Sequence, residues 1–174
     1  GSHLLFRSGR LTAGIEICED LWVPVPSSSL LAMEGANIIF NLSASNELIG
    51  KHAYLRSLIG QQSARCMAGY VYASSGFESS TDLVFAGNGI IAENGNLLAE
   101  SPRFMMEEQL VISEIDIDTL QNDRQVNTSF MYGTSGLPKE KAQVVDFQVR
   151  IPDGFSLTRP VDPHPFTPSG EALK

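Results

Sequence analysis

Gly14-Ile15-Glu16-Ile17-Cys18-Glu19-Asp20-Leu21-Trp22 is an apolar run that ends in a cysteine and passes at once into two acids and a tryptophan. A β-branched strand that stops abruptly at a polar turn is how α/β enzymes present a nucleophile at the carboxyl end of a strand. Free cysteine is also among the most buried residue types, and a lone cysteine at a strand end is more often packing than chemistry. The neighbouring segments decide what Cys18 is for.

Upstream, residues 4 to 8 read as a short strand, Gly9-Arg10 as a turn, and Leu11 to Cys18 as the strand that delivers the cysteine. Downstream, Pro24 and Pro26 forbid regular pairing, and Ser27, Ser28 or Ser29 is expected to cap a short helix through Glu34 that stops at Gly35. Asn37 to Leu42 is almost continuously apolar and reads as a strand buried on both faces. Strand, helix, strand is a βαβ unit, and its right-handed crossover places the Cys18 turn and the Ser43 to Gly50 loop at one edge of a sheet.

His52 to Gly69 is the longest helical pattern. Leu55, Leu58, Ile59, Gln62 and Cys66 form its stripe, which makes Cys66 a core residue. Tyr70 to Ser74 reads as another buried strand. Short strands then follow at Leu83 to Ala86, Gly89 to Glu93, Leu97 to Glu100 and Gln109 to Ile115, with Asn94-Gly95 as a hairpin turn. A short helix over 116 to 123 and a last strand over 144 to 149 complete the pattern. The second half is expected to be antiparallel and to form or join a second sheet.

Cys18-Glu19-Asp20-Leu21-Trp22, Asn41-Leu42-Ser43-Ala44-Ser45, Ser63-Ala64-Arg65-Cys66 through Tyr70-Val71-Tyr72-Ala73, Ser80-Thr81-Asp82-Leu83, Glu93-Asn94-Gly95 and Leu97-Leu98-Ala99-Glu100-Ser101 stand in a fixed order and spacing. As a set they resemble the glutaminase domain of glutamine-dependent NAD synthetases, a branch of the nitrilase (carbon-nitrogen hydrolase) superfamily. The resemblance covers roughly residues 11 to 130. It implies an α/β fold, a nitrilase-type α-β-β-α sandwich that is incomplete at its N-terminal half. It also implies hydrolysis of glutamine to supply ammonia to a separate ATP-using domain.

Hydrolysis of a carboxamide by cysteine needs a thiolate, a base for the thiol proton, an oxyanion donor and a proton for the leaving ammonia. The family supplies these with a Glu-Lys-Cys triad, of which Cys18 alone is carried by a matching motif here. The family's glutamate and lysine belong to segments before the nucleophile, so the chain by itself is expected to be inactive. Glu19 and Asp20 do not replace them, because unpaired negative charge beside a thiol disfavours the thiolate. Lys51 and His52 are the remaining groups of suitable chemistry.

Recognition of free glutamine asks for one fixed anion and one fixed cation, to meet its α-ammonium and α-carboxylate. By resemblance Glu19 and Ser45 match positions that contact glutamine. Lys51 falls where close relatives carry an arginine, keeping the charge without the planar fork. Set against these roles, Glu19 and Lys51 read equally as solvated charges, Ser45 as a hydroxyl capping the next helix, and Trp22 as either a pocket wall or a core aromatic.

The chain has 174 residues, a formal net charge of −8 and 43% hydrophobic residues, enough for one sizeable core. Its acidity (pI about 4.8) and the lack of any Lys/Arg run argue against nucleic acid or an anionic membrane as partner. No apolar run reaches membrane-spanning length. Two cysteines are too few for a disulfide framework, which indicates a reducing compartment and hence the cytoplasm.

Residues 1 to 3 read as the remnant of a cleaved tag, 4 to 150 as the partial glutaminase domain, and 151 to 174, with Pro152, Pro160, Pro163, Pro165 and Pro168, as an extended linker. His164-Pro165-Phe166-Thr167-Pro168 resembles the family's passage into the synthetase domain. ATP and Mg are expected in that domain, and no cofactor or metal in this chain. Removal of half a sandwich would expose apolar strand faces, so a homo-oligomer is expected. A stand-alone amidase or carbamoylase and a non-catalytic interaction module are the competing readings.

Overall fold

A computed structural model of the chain describes residues 4–76, 82–133, 142–150 and 154–161. Its strands are β1 Leu4–Ser8, β2 Leu11–Ile17, β3 Ile38–Ser43, β4 Gly69–Ser74, β5 Gly89–Glu93, β6 Asn96–Glu100 and β7 Gln143–Asp146. The helices are α1 Ser27–Met33, α2 Lys51–Cys66, α3 Ile117–Val126 and α4 Thr128–Gly133, with a short 3-10 turn over Cys18–Leu21.

The described strands form one sheet in the order β6-β5-β4-β3-β2-β1-β7. β2, β3 and β4 run parallel at its centre, linked by α1 and α2. β5 pairs antiparallel with β4 from Gly69↔Glu93 to Ala73↔Gly89, and β6 pairs antiparallel with β5. This corrects the expectation that the second-half strands would form or join another sheet. The hairpin β5–β6, closed by Asn94-Gly95 at φ +45° and +90°, adds directly to the edge that β4 offers.

Helices α1 and α2 cover one face of the sheet. Their stripe of Leu31, Leu55 and Ile59 meets Ile39, Tyr70 and Ile90 in the core. Gly14 marks a close approach of α1 to β2, because a Cβ there would lie 3.1 Å from the Leu31 side chain. Burying each such aliphatic side chain stabilises the fold by roughly 1.5–3 kcal/mol. Cys66 is buried in this layer, as its place on the stripe indicated.

The other face is uneven. Ile115 packs on Gly69 and Val111 on Gly89, so the segment over 109 to 115 lies across β4 and β5 as irregular chain, not as the expected strand. Residues 83 to 86 are likewise irregular. β3 is not buried on both faces: Phe40 and Leu42 remain 37% and 55% exposed, beside Ile15 and Ile17 at 43% and 55% on β2. Continuous apolarity marks the strand but does not say that both its faces are covered.

The cap of α1 also differs from expectation. Pro26, at φ −60° and ψ 148°, starts the helix with no side-chain cap bond. The hydroxyls of Ser28 and Ser29 instead accept from Gln62 Nε2, both at 2.9 Å, and tie α1 to α2. At the opposite end of the sheet, Arg124 on α3 donates to the carbonyls of Ala36, Cys66 and Met67 at 2.6, 2.7 and 3.1 Å. These bonds close the C-terminus of α2, where backbone carbonyls have no helical partner.

Residues 1 to 3, the segment at 80 to 81 and the run from His164 to Pro168 lie outside the described residues. Residues 154 to 161 carry no helix or strand, yet they are tied to the body of the fold. Thr158 donates through its N–H and hydroxyl to Glu114, and the Arg159 guanidinium pairs with Glu93.

Candidate active site

β2 and β3 are parallel, with Ile17 opposite Leu42, so Cys18 and Ser43 leave the sheet at the same edge. The turn that follows is built from its own residues. Ile17 N–H donates to Asp20 Oδ2 at 2.8 Å, Trp22 N–H donates to the Glu19 carbonyl at 2.9 Å, and Leu21 drops into the core with 1% of its surface exposed. Cys18 is thereby held at φ +48°, a left-handed conformation that costs a non-glycine residue roughly 1–2 kcal/mol. Its side chain is half-buried at the sheet edge, and Glu19 beside it is exposed.

The second half of the site comes from the loop after β3. Ser75 N–H donates to the Ser43 carbonyl at 2.8 Å and Glu47 N–H to the Val84 carbonyl at 2.7 Å, which fixes the loop at both sides. Lys51, the first residue of α2, turns back onto it: Lys51 Nζ donates to Ser45 Oγ at 2.7 Å and to the Asn46 carbonyl at 2.6 Å. The same ammonium stands 5.1 Å from the centre of the Trp22 ring, which packs on Tyr54 at 5.6 Å. Trp22 also rests against the hydrophobic core, the core-aromatic role that its sequence context allowed.

Lys51 and Ser45 are thus one unit, joined through Trp22 to the turn that carries Cys18 and Glu19. Ser45 does not cap α2, whose N-cap is Gly50 at φ +81°. His52 points elsewhere, with Nε2 2.9 Å from Glu100 Oε1. Among the described residues, no carboxylate, imidazole or amine is hydrogen-bonded to the Cys18 thiol.

A cavity of about 10 Å³, room for about one water molecule, lies beneath the loop and is lined by Ser45, Glu47, Lys51, His52, Tyr72 and Asn88. Burial, before any neighbouring charge, raises the pKa of the Tyr72 hydroxyl and keeps it protonated, with Cys18 and Glu47 acting in the same direction. A larger open concavity of about 760 Å³ is lined by Arg10, Asp116, Asp118 and Phe155. It surrounds the turn before β2, at the end of that strand away from Cys18. Among the described residues no group of three or more His, Cys, Asp or Glu is placed to hold a metal ion, and no helix is long and apolar enough to cross a membrane.

Three residues of the site escape a reading of the motif alone. Asp20 holds the turn, Tyr72 lines the cavity under the Ser45 loop, and Glu16, two residues before Cys18, is buried with 1% exposure. A charged residue in the middle of the apolar run over 14 to 17 was the signal for Glu16.

The carbon-nitrogen hydrolase family profile matches residues 2–125. The glutamine-dependent NAD(+) synthetase of Mycobacterium leprae is 38% identical over 97% of this chain, and the chain spans only 26% of that relative's length. Among solved structures, the glutamine-dependent NAD(+) synthetase of Cytophaga hutchinsonii superposes with a TM-score of 0.55 at 27% identity, over 63% of this chain and 17% of that one. A carbon-nitrogen hydrolase from Helicobacter pylori shares the fold with a TM-score of 0.62 at 16% identity, over 75% of this chain and 48% of that one. The α/β, nitrilase-type architecture is therefore that of its structural neighbours, and the chain belongs to the carbon-nitrogen hydrolase family.

Proposed function

We propose that this chain is the nucleophile-bearing part of a glutaminase domain of a glutamine-dependent NAD synthetase. The observation that carries the proposal is the joining of Cys18 and Glu19 to Lys51 and Ser45 through Trp22, at one edge of the sheet. The kinship to NAD synthetases supports glutamine as the substrate.

Cys18 Sγ attacks the carboxamide carbon of glutamine, forming a C–S bond. The C–N bond then breaks, the amide nitrogen takes up the proton that the thiol gives up and leaves as ammonia, and water cleaves the thioester to give glutamate and restore the thiol. Exposed Glu19 meets the α-ammonium. The Ser45 hydroxyl accepts from Lys51 and keeps its own O–H to donate to the α-carboxylate, so Lys51 acts as fixed charge behind Ser45. This arrangement suits a lysine, since no bidentate fork is required. The ammonia passes to a separate ATP- and Mg-using domain, where deamido-NAD is amidated, within a homo-oligomeric enzyme.

General acid–base assistance is worth roughly 10²–10⁴ in rate, and among the described residues no base is bonded to Cys18. The chain alone therefore binds glutamine without turning it over. Calorimetric titration with L-glutamine is expected to show binding that Glu19→Gln weakens about tenfold, with no ammonia release above that of Cys18→Ser. Absence of binding would overturn the reading of the site, and ammonia release that Cys18→Ser abolishes would overturn the expected inactivity of the chain alone.

A further inference from the structure

The most buried charged side chain near the site is one the chemistry above does not use. Glu16 lies two residues before Cys18 and points to the helix-covered face of the sheet, with 1% of its surface exposed. A carboxylate in such a place is costly unless every lone pair is met. Here Oε2 accepts from Ser28 N–H at 2.7 Å, and Oε1 accepts from the Tyr70 hydroxyl and, at 3.4 Å, from Asn41 Nδ2.

Those partners are not scattered. Asn41 is the residue paired with Glu16 across β2 and β3, Tyr70 stands on β4, and Ser28 is the second residue of α1. The bond from Ser28 to Glu16 therefore joins the two ends of one loop, residues 17 to 27, which contains Cys18, Glu19, Asp20 and Trp22. Burial first, and Glu16 second, raise the pKa of the Tyr70 hydroxyl, so it remains a donor across the physiological range. Ser28 Oγ is held in turn by Gln62 Nε2 at 2.9 Å, which anchors the base of the loop to α2.

We infer that Glu16 is a positioning residue for Cys18: its buried carboxylate pins the base of the loop that holds the cysteine in its left-handed turn. The claim that the positioned thiol is a nucleophile rests on the proposed function; the claim that Glu16 fixes the loop does not. A core position beside Tyr70 and Ile39 would otherwise favour an apolar side chain, since well-packed hydrophobic replacements of buried charges are often neutral or stabilising.

Trp22 is the single tryptophan of the chain and sits inside the pinned loop, so it reports on the loop without a label. The experiment compares the full chain with Glu16→Gln and Tyr70→Phe, well below their melting temperatures. Acrylamide quenching of Trp22 and the rate of Cys18 alkylation by iodoacetamide are measured at constant secondary structure.

Glu16→Gln places an amide N–H₂ among three donors and is expected to raise the Trp22 quenching constant at least twofold and to change the Cys18 rate at least threefold. Tyr70→Phe removes one donor and is expected to shift both readings the same way by a smaller factor, which keeps the test open if Glu16→Gln does not fold. Quenching and alkylation within about 20% of the parent chain in folded variants would overturn the inference. Failure of the parent chain to bind glutamine would count against the proposed function and leave these two readings intact.

Discussion

Ile17 N–H donates to Asp20 Oδ2 at 2.8 Å, across the turn that holds Cys18. A side-chain acceptor three residues on satisfies a backbone donor that the end of β2 would otherwise leave open. Asp20→Ala removes that acceptor and is expected to cost about 1 kcal/mol, measured by urea unfolding. Asp20→Asn keeps an acceptor oxygen and should recover most of the loss. Equal stability of Asp20→Ala and the parent chain would show that the turn is held by other means.

The left-handed backbone at Cys18 separates stability from chemistry. Glycine adopts φ near +48° without the steric penalty of a Cβ, so Cys18→Gly should be more stable than Cys18→Ala by about 1 kcal/mol. Thermal melts of the two variants make the comparison, since both lack the thiol. An alanine variant as stable as the glycine variant would mean that the turn carries no strain.

The two thiols should behave as opposites. Burial above all pushes the Cys66 thiol up from 9.0 to about 11, whereas Cys18 is half-buried at the sheet edge. At pH 8 an alkylating agent should modify Cys18 at least a hundredfold faster than Cys66, read by peptide mass spectrometry. A raised thiol pKa means that the folded chain holds a proton which the unfolded chain loses first. The associated stability is complete below about pH 9 and falls as pH rises through about 11, by an amount on the order of 2 kcal/mol. Cys66→Ala should flatten that part of the pH profile, and an unchanged slope would contradict the assignment.

Ile15, Ile17, Phe40 and Leu42 form an apolar patch on the face of β2 and β3 away from α1 and α2. Patches of this kind bind apolar dyes and promote association. The double variant Ile17→Ser, Leu42→Ser should lower dye fluorescence at least twofold and weaken concentration-dependent self-association in light scattering. Its stability should change by less than about 1 kcal/mol, because both side chains are more than half exposed. Unaltered association would place the contact elsewhere.

Periodicity located the helices and central strands to within a few residues, because the stripe of Leu55, Ile59 and Cys66 and the runs through Ile39 and Tyr70 state which face is inside. The order of strands around β4 was less legible, since short antiparallel strands such as Gly89–Glu93 and Asn96–Glu100 pair with whichever edge is free. Exposure of Phe40 and Leu42 was not legible at all: an apolar run looks alike whether one face or two are covered. At the site, the motif picked out Cys18, Glu19, Ser45 and Lys51, and the structure links Ser45 to Lys51 directly. The structural roles of Glu16 and Asp20 are not legible in the sequence, because their partners, Ser28, Asn41, Tyr70 and the Ile17 N–H, come from separate elements or from the backbone.

If Cys18 and Glu19 together recognise glutamine, covalent labelling of Cys18 will respond to glutamine. The chain is incubated with a glutamine-mimicking electrophile, with and without excess L-glutamine, and the modified residue is located by mass spectrometry. One adduct is expected, on Cys18, whose formation glutamine slows at least fivefold and Glu19→Gln slows about tenfold. Labelling of Cys18 that neither glutamine nor the Glu19 variant affects, or no labelling of Cys18 at all, would contradict that recognition.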